Sequence, residues 1–405
     1  MHPQQLSIHD FSYELPPDRI AHYPLPDRDA SKLLVYKNGS ITEDIYRNID
    51  QHIPANSLLI LNNTRVVEAR ILFQKPTGGV IEIFCLHPHA QYADITTAMY
   101  QRKKVLWHCL IGGASKWKSG QILEKKMDGG LLQARYTGKE GETFIIELTW
   151  EPEELSFAEV LHRAGVMPLP PYIKRNAEAS DAERYQTIYA QAEGSVAAPT
   201  AGLHFTDRLF ATLQQKNIQQ LPVTLHVSAG TFKPVKSDTM AGHEMHAEFI
   251  ELKTETIQQI INFLDSHITV VGTTSLRTVE SLYWLGVKLI QEPGWPAEQW
   301  MVQQWDAYEL EKEKIPVKTA LETLLKKLQQ LRTDRLMART QLLIAPGYEI
   351  KIPKTLVTNF HQPQSTLLLL VAAFVGNDWK NIYRYAMENN FRFLSYGDGC
   401  LLNRG

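Results

Sequence analysis

The chain has 405 residues, of which 44% are hydrophobic and 21% charged, with a formal net charge of −2. These values describe a globular protein with room for two or three domains, and they exclude a disordered chain and a uniformly basic nucleic-acid binder. No apolar run is long enough to cross a bilayer. The three cysteines, Cys85, Cys109 and Cys400, are too scattered for a disulfide framework or a zinc knuckle and are expected to be small buried residues. The N-terminus, with His2, Asp10 and Glu14, lacks the basic start and apolar block of a secretory signal, so a cytoplasmic location and no membrane partner are expected.

Residues 57–61 (SLLIL) predict a buried strand. From Ile71 to Thr149 the pattern becomes short alternating segments, at Val80–Leu86, Val105–Ile111, Leu131–Tyr136 and Thr143–Leu148, broken at Gly112-Gly113 and Gly129-Gly130. That pattern predicts a small all-β barrel. Beyond Ser156, helical patterns alternate with apolar strands at Ile268–Val271, Leu342–Ala345 and Leu356–Thr358, the order of an α/β fold. The expected architecture is a discontinuous α/β main domain over 1–70 and 153–405, built on a mixed sheet or barrel-like core, with the barrel domain inserted at 71–152.

The run from Gly194 to Thr206 (GSVAAPTAGLHFT) is rich in small residues that offer little to pack, which predicts close approach of the backbone to a ligand. It delivers His204 just before a helix over Asp207–Gln215, with Thr206 as N-cap. In VTLHVS, alternation puts Thr224, His226 and Ser228 on one face, so His226 is expected to face a cleft or solvent. His243 and His246 have one-turn spacing, but no acidic partner motif accompanies them and Gly242 disfavours a helix, so no metal is expected. Three strand-to-helix loops carry excess polar residues: Asn62-Asn63-Thr64-Arg65, Gly272 to Arg277, and Asn359 to Thr366. Loops of this kind sit at strand carboxyl ends and converge on a cleft. Ser275 and Ser365 also read as plain N-caps. Segment 286–338, with Trp295, Trp300, Trp305 and a helix over Val317–Leu331, shows no chemistry and reads as packing or a contact surface.

Several of these stretches, taken together, resemble the S-adenosylmethionine:tRNA ribosyltransferase-isomerase family of queuosine biosynthesis. They are YELP at 13–16, DRDAS at 27–31, NNTR at 62–65, MPLPPYIKR at 167–175 and DAERYQ at 181–186. The match continues through HFT at 204–206, Val223 to Phe232, GTTS at 272–275, PGY at 346–348, NFH at 359–361 and FLSYGD at 393–398, in order over nearly the whole chain.

The resemblance implies that S-adenosylmethionine serves as ribosyl donor, with no other cofactor and no metal. The acceptor it implies is 7-aminomethyl-7-deazaguanine at the wobble position of a tRNA with a GUN anticodon, and the products are epoxyqueuosine-tRNA, adenine and methionine. The sulfonium acidifies the adjacent ribose C5′ hydrogens, so a modest base can start the rearrangement. His204 and His226 are the first candidates for proton transfer and His361 the third. Arg277 is expected to hold the methionine carboxylate, and Asp398 the ammonium or a ribose hydroxyl unless it is a turn residue between two glycines. Arg65, Lys174 and Arg175 are candidates for RNA contact, Tyr172 and Tyr396 for stacking on a flipped base, and Asn63, Thr200 and Asn359 for substrate binding. A lysine-rich set, Arg102, Lys103, Lys104, Lys116, Lys118, Lys125 and Lys126, is either a phosphate-tracking face or a solvated surface. The chain departs from the family pattern at Gln341, Ser228 and Glu68, and segment 286–338 is longer than expected. Two alternatives follow: a paralogue with an altered acceptor and a non-catalytic tRNA-binding protein. A monomer is expected.

Overall fold

The computed structural model describes residues 2–404 except 76, 77, 93, 119 and 228–234. Its centre is a ten-stranded mixed sheet. Four strands form the parallel heart in the order Gln219–His226, Leu58–Asn62, Ile268–Val271 and Thr355–Asn359. On one side follow Gly399–Asn403, Lys32–Lys37 and Ser40–Ile45, and on the other Glu248–Lys253, Arg335–Thr340 and Met301–Val302.

A parallel strand covered on both faces must be apolar throughout, and every residue of Leu58–Asn62 and of Ile268–Val271 is buried. Alternate side chains enter different cores. Leu58 and Ile60 join the large one, which includes the apolar face of helix Thr273–Gln291, whereas Leu59 and Leu61 join the smaller one with Leu209 and Leu213 of helix Asp207–Gln215. Burying each such aliphatic side chain contributes about 1.5–3 kcal/mol. Thr206 caps the second of these helices by accepting from the Leu209 amide, and Ser365 caps helix Thr366–Val375 in the same way.

The second sheet has seven strands in the order Gly165–Val166, Arg70–Gln74, Val80–Pro88, Lys104–Gly112, Thr143–Glu151, Gly130–Glu140 and Leu123–Met127. All its pairings are antiparallel. The expected barrel is a curled half-barrel instead. Among the described residues no ladder joins Leu123–Met127 to Arg70–Gln74, and only a side-chain bond, Lys125 Nζ to the Leu72 carbonyl at 3.1 Å, bridges them. Helix Phe157–Ala164 packs Phe157, Val160, Leu161 and Ala164 into this core beside Trp107 and Trp150.

Two further expectations fail for local reasons. Leu342–Ala345 is buried but not a strand, because side chains satisfy its backbone: Arg277 donates to the Leu342 carbonyl, and the Tyr308 hydroxyl donates to the Leu343 carbonyl and accepts from the Ala345 amide. Ser275 is not an N-cap. Gly272, at φ 86°, turns the strand straight into a helix that starts at Thr273, and Ser275 Oγ donates to the Val271 carbonyl within the first turn.

Candidate functional site

Three chain segments converge beyond the carboxyl ends of the parallel strands. Ala198 to Ala201, Gly272 to Thr274 and Thr358 to Gln362 line a narrow pocket with a free volume of about 50 Å³, closed by Tyr172, Leu367 and Ser395. The start of helix Thr273–Gln291 faces it, so amide N–H groups without intrahelical partners border the pocket. Thr200 Oγ1 donates to Asn359 Oδ1 at 2.7 Å. Asn359 is 2% exposed and its Nδ2 has no partner among the described residues; the same holds for Thr274 Oγ1. Both unpaired atoms border the pocket and are available to hydrogen-bond a ligand there.

His361 is the histidine in this pocket. Its amide donates to the Tyr383 hydroxyl, its carbonyl accepts from Tyr13, and its Nε2 pairs with the Thr358 hydroxyl at 2.8 Å. Burial lowers its pKa to about 3, so the ring is neutral at pH 7.

His204 and His226 do not line it. His204 stacks on Tyr46 at 4.1 Å, with Nδ1 facing the Arg28 carbonyl and Nε2 unpartnered among the described residues. His226 is 5% exposed and neither ring nitrogen has a partner among those residues. The expectation that His226 faces a cleft or solvent is therefore corrected: strand alternation persists through Thr224, but the last residue of the strand is covered by Gly194 and its surroundings. Burial lowers the pKa of each to about 4. Ser228 lies outside the described residues.

The glycines of the small-residue run serve the protein itself. A Cβ on Gly202 would lie 1.9 Å from the Tyr189 hydroxyl, and one on Gly194 would lie 2.9 Å from Ile95. Only the middle of the run, Ala198 to Ala201, reaches the pocket.

Other expected site residues lie elsewhere. Arg175 is held by Asp181 through two bonds of 2.7 and 2.8 Å, donates to the His22 carbonyl and packs over Tyr23. Asp398 accepts from the amides of Lys32 and Arg392 and from the Arg392 guanidinium, which uses both its oxygens to tie the C-terminal loop down. Tyr396 donates to Asp181 and lies beside His204, away from the narrow pocket. Asn63 Oδ1 accepts from Thr224 at 2.7 Å, pinning one strand end to its neighbour. Arg65 and Lys174 are exposed, and no carboxylate pairs with either among the described residues. Arg65 borders a surface cleft with Tyr100 and Arg102. The lysine-rich set is split. Lys116 and Lys125 stand by Lys75 and Leu72, whereas Lys103 pairs with Glu153. Gln341 Nε2 donates to the Met245 carbonyl, and Glu68 pairs with His162.

Arg277 enters a second, larger cavity of about 510 Å³, which adjoins the pocket across Leu367. There it pairs with Glu248, a partner not foreseen. A signal was available: Glu248 stands in phase with buried Ile250 and Leu252, a charge at a core position of an alternating strand. His243 and His246 line the same cavity in extended backbone, not on a helix. Among the described residues no group of three or more His, Cys, Asp or Glu side chains is placed to hold a metal, and no helix is long and apolar enough to cross a membrane.

Fold and site together define a mixed α/β enzyme with its ligand pocket at strand carboxyl ends and a half-barrel sheet beside it. Residues 8–402 match the family described as queuosine biosynthesis protein, and the chain belongs to that family, whose work is the modification of tRNA. The membership implied by the motifs is thus borne out. Among solved structures the chain is similar to the S-adenosylmethionine tRNA ribosyltransferase of Thermotoga maritima, 27% identical over 97% of this chain and 99% of that one, with a TM-score of 0.45.

Proposed function

We propose that the protein transfers and isomerises the ribosyl group of S-adenosylmethionine onto 7-aminomethyl-7-deazaguanine in the wobble position of a GUN-anticodon tRNA, acting as a cytoplasmic monomer. Adenine and methionine leave, and epoxyqueuosine-tRNA remains. The observation that carries this reading is the pair of buried, unpaired polar atoms, Asn359 Nδ2 and Thr274 Oγ1, in a pocket built from the very loops that carry the family motifs.

In this reading the ribosyl part of the donor bonds to Asn359, Thr274 and Thr200. His361, neutral and held by Tyr13, Tyr383 and Thr358, accepts a proton from C5′ of the donor. Its low pKa makes it a weak base in the empty pocket, and the donor's sulfonium compensates by acidifying that carbon. His204 and His226 are then neutral packing groups rather than proton carriers. Arg65 and Lys174, exposed and without acidic partners among the described residues, contact the RNA backbone. No metal and no redox cofactor are required.

The test is adenine release from S-adenosylmethionine, comparing tRNA that carries the modified base with tRNA that carries guanine. Release with the modified tRNA alone supports the reading. Absence of release from both, with tRNA still bound, would favour the non-catalytic alternative.

A further inference from the structure

The narrow pocket cannot hold a whole nucleoside sulfonium, and the larger cavity next to it has a floor built for charge. Arg277 is 5% exposed and spends Nε on the Leu342 carbonyl and Nη1 on Glu248. Its Nη2 has no partner among the described residues. An unmet buried guanidinium donor carries a desolvation cost that an acceptor on a ligand would relieve. Arg277, Leu342 and Glu248 all line the cavity, and the hairpin tip Gly141–Thr143 of the half-barrel forms its opposite wall.

We propose that this cavity receives a zwitterionic α-amino acid group, with its carboxylate on Arg277 Nη2 and its ammonium in the field of Glu248. The inference rests on the donor assignment above and names where the amino-acid end of that donor lies. Three observations favour a zwitterion over a simple anion. The floor already carries one positive and one negative group, so an added anion alone would leave a buried net negative charge, whereas a zwitterion leaves the balance unchanged. Lys236, with Glu142 and Glu244, puts both signs at the wall as well. The two spaces also adjoin: Thr273 and Arg277 are four residues apart on one helix, one face of a single turn, and Leu367 borders both. A ligand with a polar sugar at one end and an amino acid at the other spans them without a break. An RNA phosphate is the weaker fit, because it would add an uncompensated negative charge beside the buried Arg277–Glu248 pair.

The experiment is calorimetric titration of the full chain with S-adenosylmethionine and with its decarboxylated analogue, which differs only in lacking the carboxylate. The expected result is roughly 30-fold weaker binding of the analogue, the worth of one charge-assisted hydrogen bond. Arg277→Gln, with its fold checked by thermal melting, should bind both ligands alike and no better than the wild type binds the analogue. Because the wild-type comparison needs no variant, loss of folding in Arg277→Gln leaves the test intact. Equal affinity of the wild type for both ligands would overturn this inference and leave the donor assignment standing. Binding of neither would overturn the donor assignment and the inference with it. Loss of tRNA binding in Arg277→Gln, with both donor affinities unchanged, would overturn it in favour of an RNA phosphate.

Discussion

Helix Thr273–Gln291 is buried along nearly its whole length, yet its two halves differ in how completely their polar groups are paired. In the second half, Glu280 accepts from the Tyr348 hydroxyl at 2.6 Å and from the amides of Lys351 and Ile352 at 2.9 Å, Trp284 donates to Tyr348, and Ser281 bonds both the Arg277 carbonyl and Thr340. Glu280, Ser281, Trp284 and Thr340 are fully buried, and every one of those groups is paired. In the first half, Thr274 Oγ1 and Arg277 Nη2 are nearly as buried but have no partner among the described residues. One half is a finished hydrogen-bond network that fixes the fold. The other is unfinished, and its unpaired atoms are available to a ligand.

The largest expected effect concerns pH. Burial lowers the pKa of His204 and His226 to about 4 and that of His361 to about 3, from the ordinary histidine value of about 6.5. Such groups stabilise the fold above their unfolded pKa, and that contribution is lost as pH falls from 6.5 towards the folded values, on the order of 3 kcal/mol for each. Urea melts should therefore show stability level above pH 7 and falling steeply below pH 6.5; a flat profile down to pH 4.5 would show that these rings are not buried neutral.

Next is the finished network. Glu280→Ala strands one hydroxyl and two amides and should cost on the order of 4 kcal/mol, read as a lowered melting temperature. Asn359→Leu probes the unfinished half and should reverse the pattern. Stability should fall by only about 1 kcal/mol, the worth of the single satisfied side-chain bond lost, from Thr200 to Oδ1, while adenine release falls by about 100-fold. A melt as damaged as that of Glu280→Ala would place Asn359 in the fold's own framework. His361→Ala against His226→Phe sharpens the same contrast: the first should abolish release, and the second should keep it within about fivefold while raising stability at pH 5. The smallest effect is at the surface, where Arg65→Ala should weaken tRNA binding and lower its salt slope by about 1.

What could be read from the sequence follows the range of the interactions involved. Thr206 as cap and the helix after it, Ser365 as cap, and the central strand at Leu58 were all legible because each rests on neighbours within a few residues or on a simple period. Two of the loops that form the pocket, at Gly272 and at Asn359, were legible as polar excess at strand ends, and the third segment, Ala198 to Ala201, as a small-residue run, whereas the polar loop Asn62 to Arg65 does not line it. Which polar groups are already spent was not. Arg175 belongs to Asp181, Asp398 to Arg392 and Lys32, and Arg277 in part to Glu248, 29 residues away. Those pairings are decided by tertiary packing, and nothing in a local pattern separates a committed arginine from a free one. His226 failed as a prediction for a related reason: alternation says which way a side chain points, not what the next layer places over it.

The most direct measurement is a crystal structure of the protein with S-adenosylmethionine bound. The account predicts the ribosyl group against Asn359 and Thr274, with His361 beside C5′ and the amino-acid end reaching Arg277. Donor density around His204 and Tyr396, with Asn359 and Thr274 still unpaired, would contradict it.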